Sequence, residues 1–317
     1  MTHHDLEYPE GKTFAFSIFD DTDNSTIANT RPVYELLQKL GLRTTKSVWV
    51  EPPRGPSSGD CLRDPGYRDW ILELQSSGFE IGFHGPGDGH FERDEILNAF
   101  EDYRRILGSY PAIHANHQAN TSNVYWWQDR FPAPYKWLYS MYNGLRGRGF
   151  KRSGGEAEGS EVFWGDVLSR HIRYVRNLTF NHVNTLACDP CMPYRRKDTP
   201  LANYWFSSSD GHTVEEFNDL ICPSNLDRLE HEGGCCIVYT HFASGFVDES
   251  GRINPIFQAR MEDLASRNGW HVPVTRLLDH LQESRKSEDD MVNTSYLRKI
   301  TSRWILQRIR KRLRYGR

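Results

Sequence analysis

Thr13-Phe-Ala-Phe-Ser-Ile-Phe-Asp20-Asp21-Thr-Asp23 is the stretch around which the 317-residue chain is organised. Apart from Ser17, residues 13–19 are apolar, aromatic or β-branched, the composition of a strand buried on both faces, and the run ends abruptly in acid. Neighbouring carboxylates raise one another's pKa and burial raises both, so such a pair is kept where a cation or a proton transfer uses it. Side chains alternate along a strand, so Asp20 and Asp21 point different ways, one towards a metal and the other towards substrate. The same letters also suit the N-terminus of a helix over 26–40, and that is the competing reading.

Outward from this strand the pattern alternates. Val33, Leu36, Leu37 and Leu40 repeat at helical spacing and stop at Gly41. Residues 44–50 read as a second strand, 67–77 as a helix and 79–83 as a third strand, an order that argues for parallel pairing. Phe83-His84-Gly-Pro-Gly-Asp-Gly-His90 then lets the backbone bend closely round something, with a histidine at either end. A helix over 92–107 and a short strand over 112–115 lead into His114-Ala-Asn116-His117-Gln-Ala-Asn120. Residues 124–150 are crowded with aromatics and read as an inserted helical segment, mostly core, although rings such as Trp126 also suit sugar faces. Residues 161–175 read as helix, 178–186 as strand and 214–229 as helix, while 187–212 show little periodicity. Cys235-Cys-Ile-Val-Tyr-Thr-His241 is a second buried strand ending in a titratable residue, and 269–282 give a last strand and helix. The sum is an α/β chain, a distorted (β/α) barrel of seven or eight units over 1–283, then a linker over 284–295 and a tail helix over 296–317.

Composition narrows the function classes. Hydrophobic residues make up only 38%, but 13% are aromatic, enough for a sizeable core. The net charge of -3 hides a strongly basic C-terminus, and the body lacks the basic stripe of a nucleic-acid binder. The N-terminus has no basic start or apolar run, and no stretch is long enough to span a bilayer, so the chain reads as cytoplasmic. Its six cysteines are then reduced thiols, and Cys188-Asp-Pro-Cys191 is at most half a zinc site. In the tail, Leu297, Ile300, Trp304, Ile305 and Ile309 recur among Arg and Lys, a pattern for peripheral contact with an anionic inner membrane face or for docking on the barrel.

In a parallel α/β fold the carboxyl ends of strands meet on one rim, which gathers Asp20, Asp21, His84, His90 and His241. One carboxylate and two imidazoles leave open positions on a divalent ion, Zn²⁺ first, with Mn²⁺, Fe²⁺, Co²⁺ or Ni²⁺ as alternatives. A second carboxylate can take a proton from water, and a histidine across the site can protonate a departing amine.

The chain also resembles the polysaccharide deacetylases, carbohydrate esterase family four, with their NodB-type barrel, over about residues 13–281. Phe19-Asp20-Asp21 is similar to the family's Thr-Phe-Asp-Asp motif, Glu80-Ile-Gly-Phe-His84 through His90 to its metal-binding histidine motif, and Ile237-Val-Tyr-Thr-His241 to its late Leu-x-His motif. The resemblance implies Asp20 as general base, Asp21, His84 and His90 as metal ligands, and His241 as general acid. Two departures stand out. Five residues separate His84 from His90 where the family has three, and His114-Ala-Asn-His117-Gln stands where the family has Arg-Pro-Pro-Tyr. His117, Asn120 and Trp126 are then candidates for substrate contact, and His117 also for the place of His90 on the metal. The implied activity is removal of an N-acyl group, acetyl first, from an amino sugar of a glycan or of a lipid-linked or nucleotide-sugar precursor. The alternatives are hydrolysis of another linear amide and a decayed barrel that only binds carbohydrate or acts as a scaffold.

Overall fold

The computed structural model describes residues 6–118, 120–145, 153–285 and 290–316. Parts of the expected N-terminus (1–5), of the 124–150 segment (146–150) and of the linker (286–289) lie outside the described residues. Among the described residues eight strands run β1 Phe14–Asp20, β2 Thr45–Val48, β3 Glu80–Phe83, β4 Ile113–Ala115, β5 Tyr174–Phe180, β6 Tyr204–Asp210, β7 Cys235–Thr240 and β8 Gly269–His271. All pairings between them are parallel, and the order β2-β3-β4-β5-β6-β7-β1 closes on itself through a β1–β2 pairing. The result is a closed seven-stranded barrel with an extra strand, wrapped by helices.

β1 is the hub, and every one of its residues is buried. One side pairs along its length with β7, Ala15 opposite Cys235 through Asp20 opposite Thr240. The other side is shared: Phe14–Phe16 pair with β8, while Phe19 and Asp20 pair with Thr45 and Lys46 of β2. A strand enclosed by three neighbours exposes no face to water, which is why its sequence shows no polar alternation until it ends.

The acidic run does not cap the helix that follows. The helix Ile27–Lys39 is capped by Thr26 and Asn29, each side chain bonded to the other's backbone N–H, and Asp60 accepts from the N–H of Ile27. The carboxylates of Asp20, Asp21 and Asp23 therefore have other partners. Elsewhere the expected strand over 178–186 starts earlier, at Tyr174, and the expected helix over 214–229 is two helices, Val214–Leu220 and Pro223–His231, divided at Pro223. All six cysteines are unpaired thiols.

The basic C-terminal helix, Thr294–Tyr315, packs on the barrel. Leu297 and Ile300 are buried. Tyr296 donates to the carboxylate of Asp189, and Arg303 donates to the carbonyls of Ala187 and Cys188. Its outward face leaves Leu306, Ile309 and Leu313 exposed. Among the described residues, no helix is long and apolar enough to cross a membrane.

Candidate functional site

The carboxyl ends of the barrel strands open into one cavity of about 530 Å³, within the usual range for small-molecule sites. Its floor comes from the turn after β1 (Asp21, Asp23), from His84 just after β3 and from His117 just after β4. Arg176 of β5, Asp210 at the end of β6 and His241 just after β7 complete the ring.

Asp23 stands at the centre. Its Oδ1 lies 3.3 Å from His84 Nε2 and 3.2 Å from His117 Nε2, and its Oδ2 lies 3.0 Å from His241 Nε2. Asp23, His84 and His117 each offer one donor atom within 4.8 Å of the other two. Asp23 Oδ1 and both ring nitrogens of His84 are buried without a hydrogen bond among the described residues. Buried polar atoms of this kind are costly unless something else engages them, and one carboxylate with two imidazoles is a donor set that suits Zn²⁺ and several other divalent ions. The residues therefore fit a metal.

The shell behind the histidines supports that fit. His117 Nδ1 lies 3.3 Å from Asp88 Oδ1 and 3.2 Å from Asn120 Oδ1, which leaves Nε2 facing Asp23. A carboxylate or amide on the far nitrogen is the usual way of fixing a ligating imidazole. Asp88 is itself fully buried, with its Oδ2 accepting from Ser57 N–H at 2.6 Å. The glycine loop makes this possible: Gly89 takes φ +111°, and a Cβ there would stand 2.9 Å from the backbone of Gly55. Asn120 clamps the same loop, accepting from Gly89 N–H and donating to Gly87 O, both at 2.8 Å. It braces His117 and does not line the cavity.

Two cations hold the acidic pair. Arg176 grips Asp21 with two bonds, Nη1 to Oδ1 at 2.7 Å and Nη2 to Oδ2 at 2.5 Å. Lys46, directly opposite Asp20 across the β1–β2 pairing, places Nζ 3.1 Å from Asp20 Oδ2, with both side chains wholly buried. Tyr34 donates to the same oxygen at 2.9 Å, and Phe242 N–H donates to Oδ1 at 2.9 Å. Asp20 is thus saturated by protein groups beneath the floor, whereas Asp21 faces the cavity beside His84.

Charge states follow from these contacts. Burial favours protonation of Asp21, but Arg176 and His84 outweigh it and hold the carboxyl below its ordinary range. Asp23 is held lower still, its burial overcome by His84, His117 and His241. Burial works against protonated His241, yet its bond to Asp23 and the charges of Asp21 and Asp23 raise its pKa. For Asp20 burial dominates and raises the pKa, opposed by Lys46, Phe242 N–H and Tyr34.

Measured against the sequence reading, Asp21, His84, His117, His241 and Trp126 come together on the cavity and Asp20 lies one layer below. His90 needs correction as the second imidazole. It is half exposed, with Nδ1 3.0 Å from Thr121 Oγ1 and Nε2 3.8 Å from Glu161, because the glycine loop turns back on itself and delivers His90 to the outer surface. Asp23, Asp88, Lys46 and Arg176 were not singled out from sequence. Asp23 had a visible signal, being the third acid of the opening run. Arg176 had a weaker one, the single charge in the run Tyr174-Val-Arg-Asn-Leu178.

No family model matches this sequence, and no curated protein matches it. Solved structures do match. One from Mycobacterium smegmatis, bearing the name polysaccharide deacetylase, superposes with TM-score 0.51 at 12% identity, covering 91% of this chain and 96% of the other. The allantoinase Puue superposes with TM-score 0.53 at 12% identity, covering 90% and 95%. The chain shares the barrel fold of both structures, at low sequence identity.

Proposed function

We propose that this chain is a metal-dependent hydrolase that removes an N-acyl group, acetyl first, from an amino sugar. The observation that carries the reading is the Asp23–His84–His117 group flanked by an ionised carboxylate, Asp21, and by a histidine held towards its protonated form, His241. Bound by those three side chains, a divalent ion would polarise the acyl carbonyl and make water a better nucleophile at neutral pH. Asp21 takes the proton of the attacking water, and Arg176 keeps it ionised and fixed in orientation. As the carbon–nitrogen bond breaks, His241 gives its proton to the sugar nitrogen, so that amine and carboxylic acid leave. Asp88 and Asn120 position His117, and Trp126 offers a ring face to the sugar. Relative to the sequence reading, the duties move along the acidic run: Asp21 takes the role expected of Asp20, and Asp23 the role expected of Asp21.

The allantoinase neighbour favours a second reading, hydrolysis of an amide carbon–nitrogen bond in a small nitrogenous compound. One assay separates the two. Metal-loaded protein is expected to release acetate from N-acetylhexosamines and to lose that activity on chelation. Consumption of allantoin with no acetate from any N-acetyl sugar would replace the first reading by the second.

A further inference from the structure

Beside His212 and His241, whose rings lie 4.4 Å apart, the cavity wall carries charged groups that the proposed chemistry does not use. Arg308 and Lys311 of the C-terminal helix reach Asp210 Oδ2 at 2.8 and 2.9 Å, and Lys311 also reaches Glu216 at 2.7 Å. Arg176 is neutralised by Asp21. That leaves Arg130, which also lines the cavity and which has no carboxylate partner among the described residues. Its Nε donates to Asn177 Oδ1 at 3.3 Å and its Nη2 donates to the Asn177 carbonyl, while Nη1 has no hydrogen-bond partner among the described residues. The Trp126 ring lies 4.0 Å from the guanidinium carbon and the Trp304 ring 5.7 Å. Burial without a counter-charge, with Arg308 and Arg176 nearby, draws its pKa down to about 9, so it stays charged at neutral pH.

The chain spends stability to put this cation there. Tyr125 and Trp127, neither of them glycine, take left-handed backbone angles of φ +48° and +54°, a conformation that residues other than glycine adopt only at a cost. The loop is pinned regardless: Asn116 bonds to both the N–H and the carbonyl of Val124, at 3.0 and 2.9 Å, and Ser153 accepts from Trp126 N–H at 3.1 Å. An arginine held by one residue, backed by an indole and left with a free donor edge is organised to receive an anion.

We propose that Arg130, backed by Trp126, forms an anion subsite, and that the natural substrate is an amino sugar derivative bearing a phosphate or carboxylate group. The substrate part of the proposal rests on the hydrolase reading, but the subsite itself can be tested by binding alone. The probes are N-acetylglucosamine, its 1- and 6-phosphates and N-acetylneuraminate, titrated calorimetrically into metal-loaded full-length protein. At least one charged probe is expected to bind roughly tenfold or more tightly than the neutral sugar, as a charge-assisted contact warrants. In Arg130→Gln that ratio collapses to within about twofold, and in Arg130→Lys, which keeps the charge without the fork, part of it survives. Melting temperature and metal content, measured alongside, establish that each variant is folded and loaded. A ratio unchanged in Arg130→Gln would place the anion on the metal or elsewhere and overturn the proposal, as would a wild-type protein that binds all four probes alike. Which charged probe gains most separates phosphate from carboxylate. Loss of acetate release with the binding ratio intact would sink the hydrolase reading and leave the subsite standing.

Discussion

Asp21→Asn is expected to lower kcat for acyl-group release by a factor on the order of 10²–10⁴, the range typical of a lost general base, while the protein keeps its metal. The amide has the size of the carboxylate but cannot accept the water's proton. Because Arg176 then loses the charge it pairs with, some fall in melting temperature accompanies the change, and the two effects must be read separately. The decisive comparison is kcat per bound metal ion for Asp21→Asn and for Asp20→Asn, both at a temperature where each is folded. Asp20, wholly buried and bonded to Lys46, Tyr34 and Phe242 N–H, touches no part of the cavity. Its amide variant should retain far more turnover than that of Asp21. Equal activity in wild type and Asp21→Asn would remove Asp21 from the base role.

Lys46→Met is expected to cost about 3–5 kcal/mol of folding stability, among the largest effects a single substitution has. The ammonium and the Asp20 carboxylate are both wholly buried, and removing one leaves the other without its charge partner. Adding Asp20→Asn to Lys46→Met should restore most of the loss, because the double variant buries two neutral groups. Urea denaturation of the two single variants and the double variant gives the coupling directly. A double variant as unstable as the sum of the two single losses would mean that the pair is not a unit, and that Asp20 is held by Tyr34 and the backbone of Phe242 alone.

These two expectations also mark how far the sequence could be read. The barrel was legible because β1 and β7 are apolar runs ending in polar groups, and because helices with clear caps separate the early strands. β6 was not, since Tyr-Trp-Phe-Ser-Ser-Ser-Asp turns three serines into the interior, where Ser207 bonds to Asp189 and Ser209 to the His182 carbonyl. A buried polar strand has no signature in apolar periodicity. β5 was displaced for a related reason: Arg176 looks like a surface residue until the carboxylate it neutralises is known. That arginine reaches Asp21 from β5, where it is paired with Ala115 of β4.

The site was half legible. Residue types and rim position pointed to a carboxylate and two imidazoles. Which carboxylate and which imidazole depended on two loops whose course periodicity does not describe. After Asp20 the chain bends so that Asp23, not Asp21, swings between the histidines. After His84 the glycine loop folds Asp88 inward and His90 outward, and it is His117, just after the neighbouring strand, whose ring stands 5.5 Å from that of His84. The tail shows the same limit. Amphipathic spacing located the helix, but only the three-dimensional arrangement brings Trp304, Arg308 and Lys311 to the cavity wall.

The central claim is that Asp23, His84 and His117 converge on one divalent ion. Its most direct test is the metal content of purified protein by inductively coupled plasma mass spectrometry, for wild type, His117→Ala and His90→Ala after equal dialysis. The account predicts about one ion per chain in wild type and in His90→Ala, and a small fraction of that in His117→Ala. Metal retained by His117→Ala and lost by His90→Ala would contradict it.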